Sequence, residues 1–155
     1  MYREFVLVLT IAVVCAAVAI KWLVVRNRER RREAEFEQHG ITPEQLSQAL
    51  AQRPRLPLFD IREPLDVQAN SEVIPGTTRI CPYRVLENPW LIPRGQEVVI
   101  YCMRSTDEIN IIVLERLLAI GFLKVKFLKG GLDAWKAAGF PVDCYQSFFR
   151  LNVAG

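Results

Sequence analysis

Hydrophobic positions are unevenly spread along this chain. From Phe5 to Val25 they run almost without a break (FVLVLTIAVVCAAVAIKWLVV), and Lys21 is the one charged position among them. A helix needs about 20 apolar residues to cross a bilayer core. An N-terminal segment that is apolar on every side predicts such a span rather than a core helix. Lys21 and Trp22 stand at one end, where a long cation and an aromatic ring reach the headgroups. The pattern then inverts. The stretch RNRERRREAEFEQH, residues 26–39, is rich in helix formers and lacks Pro and Gly, which predicts a helical stalk ended by Gly40.

Beyond the stalk the pattern alternates between two periods. Thr42 predicts a helix N-cap, Pro43 the first helical position and Gln45 the partner of a capping box. That helix is expected to run to about Gln52 and to bury Leu46 and Leu50. Leu56–Ile61, an apolar run between Pro54 and Pro64, predicts a buried strand, and Ile74-Pro75-Gly76 a turn. Glu97–Cys102 is the clearest strand, because Val98, Val99 and Ile100 form the continuous β-branched run of a buried parallel strand. The spacing of Ile109, Ile112, Val113, Arg116 and Leu117 predicts a helix over Asp107–Ala119, closed by Gly121. Lys124–Leu128 alternates as a strand, and Gly130-Gly131 leads into a short helix, LDAWKAAG. Strand and helix in alternation predict an α/β domain with a parallel sheet covered on both faces. The tail from Cys144 to Gly155 shows no clear pattern.

Charge adds topology to this picture. The net charge is +3, and Lys21, Arg26, Arg28, Arg30, Arg31 and Arg32 all crowd the C-terminal flank of the apolar segment, against Arg3 alone before it. The basic flank is expected to stay in the cytoplasm, so the domain faces that side of the cytoplasmic (inner) membrane on a single-pass anchor. Its cysteines are then kept reduced. A cleaved secretory signal is the rival reading, since Ala17-Val18-Ala19 has the A-x-A form. A nearly uncharged start, and an apolar stretch that continues to Val25, weigh against it; Val14 before Cys15 weighs against a lipoprotein signal. Basic residues gathered beside a span, rather than on a folded face, leave no nucleic-acid partner to expect. The expected organisation is a transmembrane anchor at 1–25, a basic stalk at 26–40, a domain at 41–143 and a tail at 144–155.

The cysteines Cys15, Cys81, Cys102 and Cys144 have no metal-ligand spacing, and His39 is the single histidine. Neither a metal nor any other cofactor is expected, nor is histidine-assisted catalysis. Cys102 is the candidate for chemistry. It ends the best strand just before a helix, where an open parallel sheet binds its ligands. The loop Met103-Arg104-Ser105-Thr106 is expected to turn backbone N–H groups towards the sulfur, beside the positive end of the next helix. A buried cysteine that merely ends a strand is the plain alternative. Asp60 and Arg62 are read as structural, an acid and a base that pin neighbouring loops. Trp135, Cys81 and Cys144 are read as packing.

From about Ile41 to Val142 the sequence resembles a rhodanese domain. The matching pieces are Phe59-Asp60-Ile61-Arg62, Ile74-Pro75-Gly76, Val98-Val99-Ile100-Tyr101-Cys102, Gly130-Gly131-Leu132-Asp133-Ala134-Trp135 and Gly139-Phe140-Pro141-Val142, in that order. The resemblance implies a five-stranded parallel sheet flanked by helices. It also implies that Cys102 carries sulfane sulfur as a persulfide, taken from a donor and passed to a thiol or to cyanide. Two features depart from the family pattern. The loop has no Gly and ends in Asp107-Glu108, and Val73 stands where a His usually precedes the Ile-Pro-Gly turn. Carboxylates near the sulfur repel an anionic donor such as thiosulfate. Two functions follow: a membrane-tethered sulfurtransferase with Cys102 as carrier, favoured by the retained cysteine, or a non-catalytic binding module at the membrane, favoured by the acidic loop. A phosphatase of related fold needs Arg six residues after the cysteine, where Glu108 stands.

Overall fold

The computed structural model describes residues 2–104 and 108–145; side chains of residues 1–12, 33, 35 and 36 are outside the description. It divides into two units, 1–38 and 39–155. The first is one helix, α1 (Tyr2–Gln38), which takes in the predicted span and the stalk. Among the described residues no helix is long and apolar enough to cross a membrane. Within the expected span, side chains are described from Val13 onward.

The second unit alternates as expected. Its elements are β1 (Gly40–Ile41), α2 (Pro43–Gln52), β2 (Leu58–Asp60), α3 (Pro64–Ala69), β3 (Glu72–Val73), β4 (Thr78–Arg79), α4 (Pro82–Glu87), β5 (Val98–Tyr101), α5 (Glu108–Ala119), β6 (Val125–Leu128), α6 (Gly131–Ala137) and β7 (Asp143–Cys144). Local chemistry explains the start of α2. The Thr42 side chain accepts from the Gln45 N–H, Gln45 Oε1 accepts from the Thr42 N–H, and Pro43 opens the helix.

Five strands form one sheet in the order β1-β6-β5-β2-β4, every pair parallel. A separate antiparallel pair joins β3 to β7. One face of the sheet, through Leu58, Val99, Tyr101 and Leu128, packs on Leu46 and Ala49 of α2 and on Leu132 and Trp135 of α6. Phe59, Val98 and Ile100 point the other way by strand alternation and are also buried, so both faces are covered. Trp135 donates its ring N–H to the Pro141 carbonyl at 2.8 Å and stacks against Phe140.

The strand order creates the crevice that matters. From β2 the chain moves outward to β4 at one edge, then returns to β5 on the other side of β2 and moves on to β6. The loops leaving β2 and β5 therefore part in opposite directions, and ligands bind outside the carboxyl ends of strands at such a switch point. Ile61 follows one strand and Cys102 the other, and the Ile61 N–H donates to the Tyr101 carbonyl at 2.9 Å.

Candidate active site

Cys102 lies directly past the end of β5 and is only 2% exposed. Its Sγ donates to the Arg104 carbonyl at 2.6 Å and accepts from Asn110 Nδ2 at 2.6 Å. The second N–H of the same amide reaches the Arg104 carbonyl, at 2.8 Å. Sulfur, carbonyl and amide thus form a closed triangle. Asn110 belongs to the first turn of α5 and is 2% exposed, and its Oδ1 is buried with no hydrogen-bond partner among the described residues.

The floor of the site comes from the start of α6. The Leu132 N–H donates to the Cys102 carbonyl at 2.9 Å, and the Asp133 N–H to the Met103 carbonyl at 3.2 Å. Gly131 makes this approach possible. It has a φ of +61°, and a Cβ there would stand 2.5 Å from the Met103 carbonyl oxygen and 2.6 Å from that of Cys102. Glycine alone has both the conformation and the missing atom.

Of the residues singled out in the sequence, Met103 is half-buried against the core, and Arg104 is exposed, its Nε donating to Asp133 Oδ2 at 3.3 Å. Ser105, Thr106 and Asp107 lie outside the described residues, and so does the expected cradle of backbone N–H groups. Asp60 and Arg62 are fully buried on the neighbouring strand end. Arg62 Nε and one terminal nitrogen donate to the Asp60 carboxylate, at 2.7–3.0 Å, and its terminal nitrogens also donate to the carbonyls of Asn70 and Glu72, both at 2.9 Å. One cation therefore ties the end of β2 to Asn70 after α3 and to the first residue of β3. Tyr101 extends the tie: its hydroxyl donates to Thr77 Oγ1 and accepts from the Ile74 N–H, each at 3.2 Å. Burial, and next the Asp60 charge, push its ionisation above the ordinary value of 10, so the hydroxyl keeps its proton.

Two site residues lie beyond the sequence reading. Gly131 reads there only as the lead into a helix, and Asn110 falls outside an α5 stripe drawn through Ile109 and Ile112. The buried residues of α5 are Asn110, Val113, Leu114 and Leu117, while Ile112 is 40% exposed. An amide heading an i, i+3, i+4, i+7 stripe is the signal available. Cys144, expected to pack, is instead exposed, because β3 and β7 form a separate two-stranded ribbon; Cys81 is half-buried.

Comparison with known proteins agrees with this fold. The profile of the rhodanese-like domain matches residues 42–138. A protein of Allochromatium vinosum named a sulfurtransferase is 32% identical over 106 residues, which cover 66% of this chain and 92% of that one. The crystal structure of a thiosulfate sulfurtransferase from Pseudomonas aeruginosa superposes with a TM-score of 0.59 at 26% identity, over 74% of this chain and 22% of that chain. A rhodanese-related protein from Thermoplasma volcanium superposes with a TM-score of 0.56 at 20% identity, over 68% of this chain and 97% of that chain.

Proposed function

The chain belongs to the rhodanese-like domain family, and from that premise we propose that it is a sulfurtransferase with Cys102 as the sulfur carrier. The single observation that carries this reading is the position of Cys102. It stands past the central strand at the switch point of the sheet, with a side-chain N–H directed at its sulfur. The Cys102 thiolate attacks the outer sulfur of a donor such as thiosulfate. The donor's S–S bond breaks, sulfite leaves with the electron pair, and Cys102 holds a persulfide. A thiolate acceptor then attacks the terminal sulfur and leaves as a persulfide, restoring the Cys102 thiolate.

Mass spectrometry after incubation with sulfane-sulfur donors tests the proposal. One added sulfur on the Cys102 peptide is expected, and Cys102→Ser should abolish transfer to thiol or cyanide. A donor-treated wild type without added sulfur refutes it. A second reading, a non-catalytic binding module, is favoured by the deep burial of Cys102 and by the engagement of its S–H with the Arg104 carbonyl. That reading predicts no added sulfur from any donor.

The proposal extends to location. The apolar run Phe5–Val25 with its basic C-terminal flank supports an N-terminal anchor in the cytoplasmic membrane, with the domain of 41–143 on the cytoplasmic side. A reporter active only outside that membrane, fused to the C-terminus, should stay silent. A strong signal overturns the topology.

A further inference from the structure

Asn110 is in an unusual position for a polar residue. It heads an otherwise apolar buried stripe, spends both N–H groups on the Cys102 sulfur and the Arg104 carbonyl, and leaves its own oxygen buried without a partner among the described residues. The amide cannot relieve that orphan by turning over. A carbonyl accepts and does not donate, so the nitrogen must face Arg104, and its second N–H then falls on the sulfur. Buried polar atoms are nearly always paired, and an exception at the reacting atom points to a group that arrives with the substrate.

We propose that Asn110 is a catalytic residue: it holds the Cys102 sulfur as an anion, and it matches the site to hydropersulfide donors (R–S–S–H) over thiosulfate. The proposal rests on the sulfurtransferase reading. The sulfur is too buried for water to stabilise its charge, so among the described residues the fixed Asn110 N–H favours the anion, against the Arg104 carbonyl, which favours the thiol. The partners of the nearby cations favour the same donor. Among the described residues Arg62 is buried but bound to Asp60, and Arg104 is exposed beside Asp133, so neither fixes a positive charge inside the crevice, as a doubly charged thiosulfate needs in order to enter. In its protonated form a hydropersulfide carries no charge on its sulfurs and brings a hydrogen, which the orphaned Oδ1 accepts. In the transfer the Cys102 thiolate attacks the terminal sulfur. The donor's S–S bond breaks, R–S⁻ leaves with the electron pair, and Cys102–S–S–H is formed with the proton still on the transferred sulfur.

The test uses the full-length chain and reads Cys102 alone, by mass spectrometry of its peptide. Alkylation of Cys102 by iodoacetamide is followed against pH in wild type and in Asn110→Ala, with Asn110→Ser as a partial donor. The alanine variant should titrate about one pH unit higher, a tenfold loss of thiolate below the midpoint, or about 1.4 kcal/mol; the serine variant should lie between. Sulfur loading of wild type from glutathione hydropersulfide should outpace loading from thiosulfate at least tenfold, and Asn110→Ala should narrow that ratio severalfold. If the alanine variant does not fold, the wild-type Asn110 side-chain amide signals in NMR must move with pH at the Cys102 midpoint. Unmoved signals, or an unmoved alkylation profile in a folded variant, overturn the role of Asn110 even if transfer proceeds. A displaced profile in a protein that no donor can load supports Asn110's hold on the sulfur and overturns the sulfurtransferase reading along with the donor preference.

Discussion

Replacing Gly131 with Ala should loosen the domain more than the same change at a positive-φ glycine with open space around it. Two effects add. The residue has a φ of +61°, and an L side chain in the left-handed region costs about 1–2 kcal/mol. The new methyl would also sit 2.5–2.7 Å from three backbone atoms of Cys102 and Met103, closer than real Cβ atoms come. Backbone cannot rotate aside as a side-chain end can. The α6 start must back away from β5, which loosens the bonds Leu132 N–H to Cys102 and Asp133 N–H to Met103, at about 1 kcal/mol each. The sum is about 3–4 kcal/mol, or roughly 12–16 °C of melting temperature for a body of this size. Gly139→Ala supplies the control, because Gly139 has a φ of +77° and nothing lies within 4 Å of where the added methyl would stand. It should lose only the conformational part, about 1–2 kcal/mol. Thermal melts followed by near-ultraviolet circular dichroism compare the two variants. Equal losses would refute the steric argument and leave conformation as the whole effect.

Arg62→Met should destabilise by about 3–5 kcal/mol in urea titration, because it leaves the fully buried Asp60 carboxylate without its cation; a loss under about 1 kcal/mol would refute the part given to this ion pair. Thr42→Ala, which removes the capping oxygen of α2, should cost about 1 kcal/mol by the same titration. The Arg53 hydrogen bond, against a smaller opposing effect of burial, holds the Glu97 carboxyl below its ordinary 4.5. Its folded pKa is depressed, so its stabilisation is present above pH 4.5 and fades as pH falls through the folded value. Glu97→Gln should therefore cost a few tenths of a kcal/mol at neutral pH and nothing in strong acid, and a constant cost across that range would rule out the ion pair as its source.

Legibility from sequence follows the range of the interaction involved. The α2 cap is readable because Thr42, Pro43 and Gln45 act on one another within a single turn. β5 is readable because a parallel strand buried on both faces writes its burial into consecutive β-branched residues. The edge strands β1 and β4 are not, since two residues form no period. Gly131 depends on a carbonyl that is distant in sequence, and nothing beside it in the chain records that contact. Asp60 and Arg62 are legible as a pair but not as a plug: the Asn70 and Glu72 carbonyls that complete the guanidinium come from another loop. At Cys102 the sequence singles out the neighbours along the chain. The Arg104 carbonyl is one such neighbour, but the side-chain amide that reaches the sulfur lies on the next helix, where a polar residue is hidden by the apolar rhythm around it.

The brevity of those outer strands has a consequence for recognition. Strand addition, a common way for one polypeptide to capture another, requires a row of unpaired backbone groups along a sheet margin. Here each margin is two residues long, Gly40–Ile41 on one side and Thr78–Arg79 on the other, too short a template for a guest strand. The same shortness protects neighbouring copies from zipping together. A guest polypeptide is therefore left to engage this sheet through side chains and loops rather than along its margins.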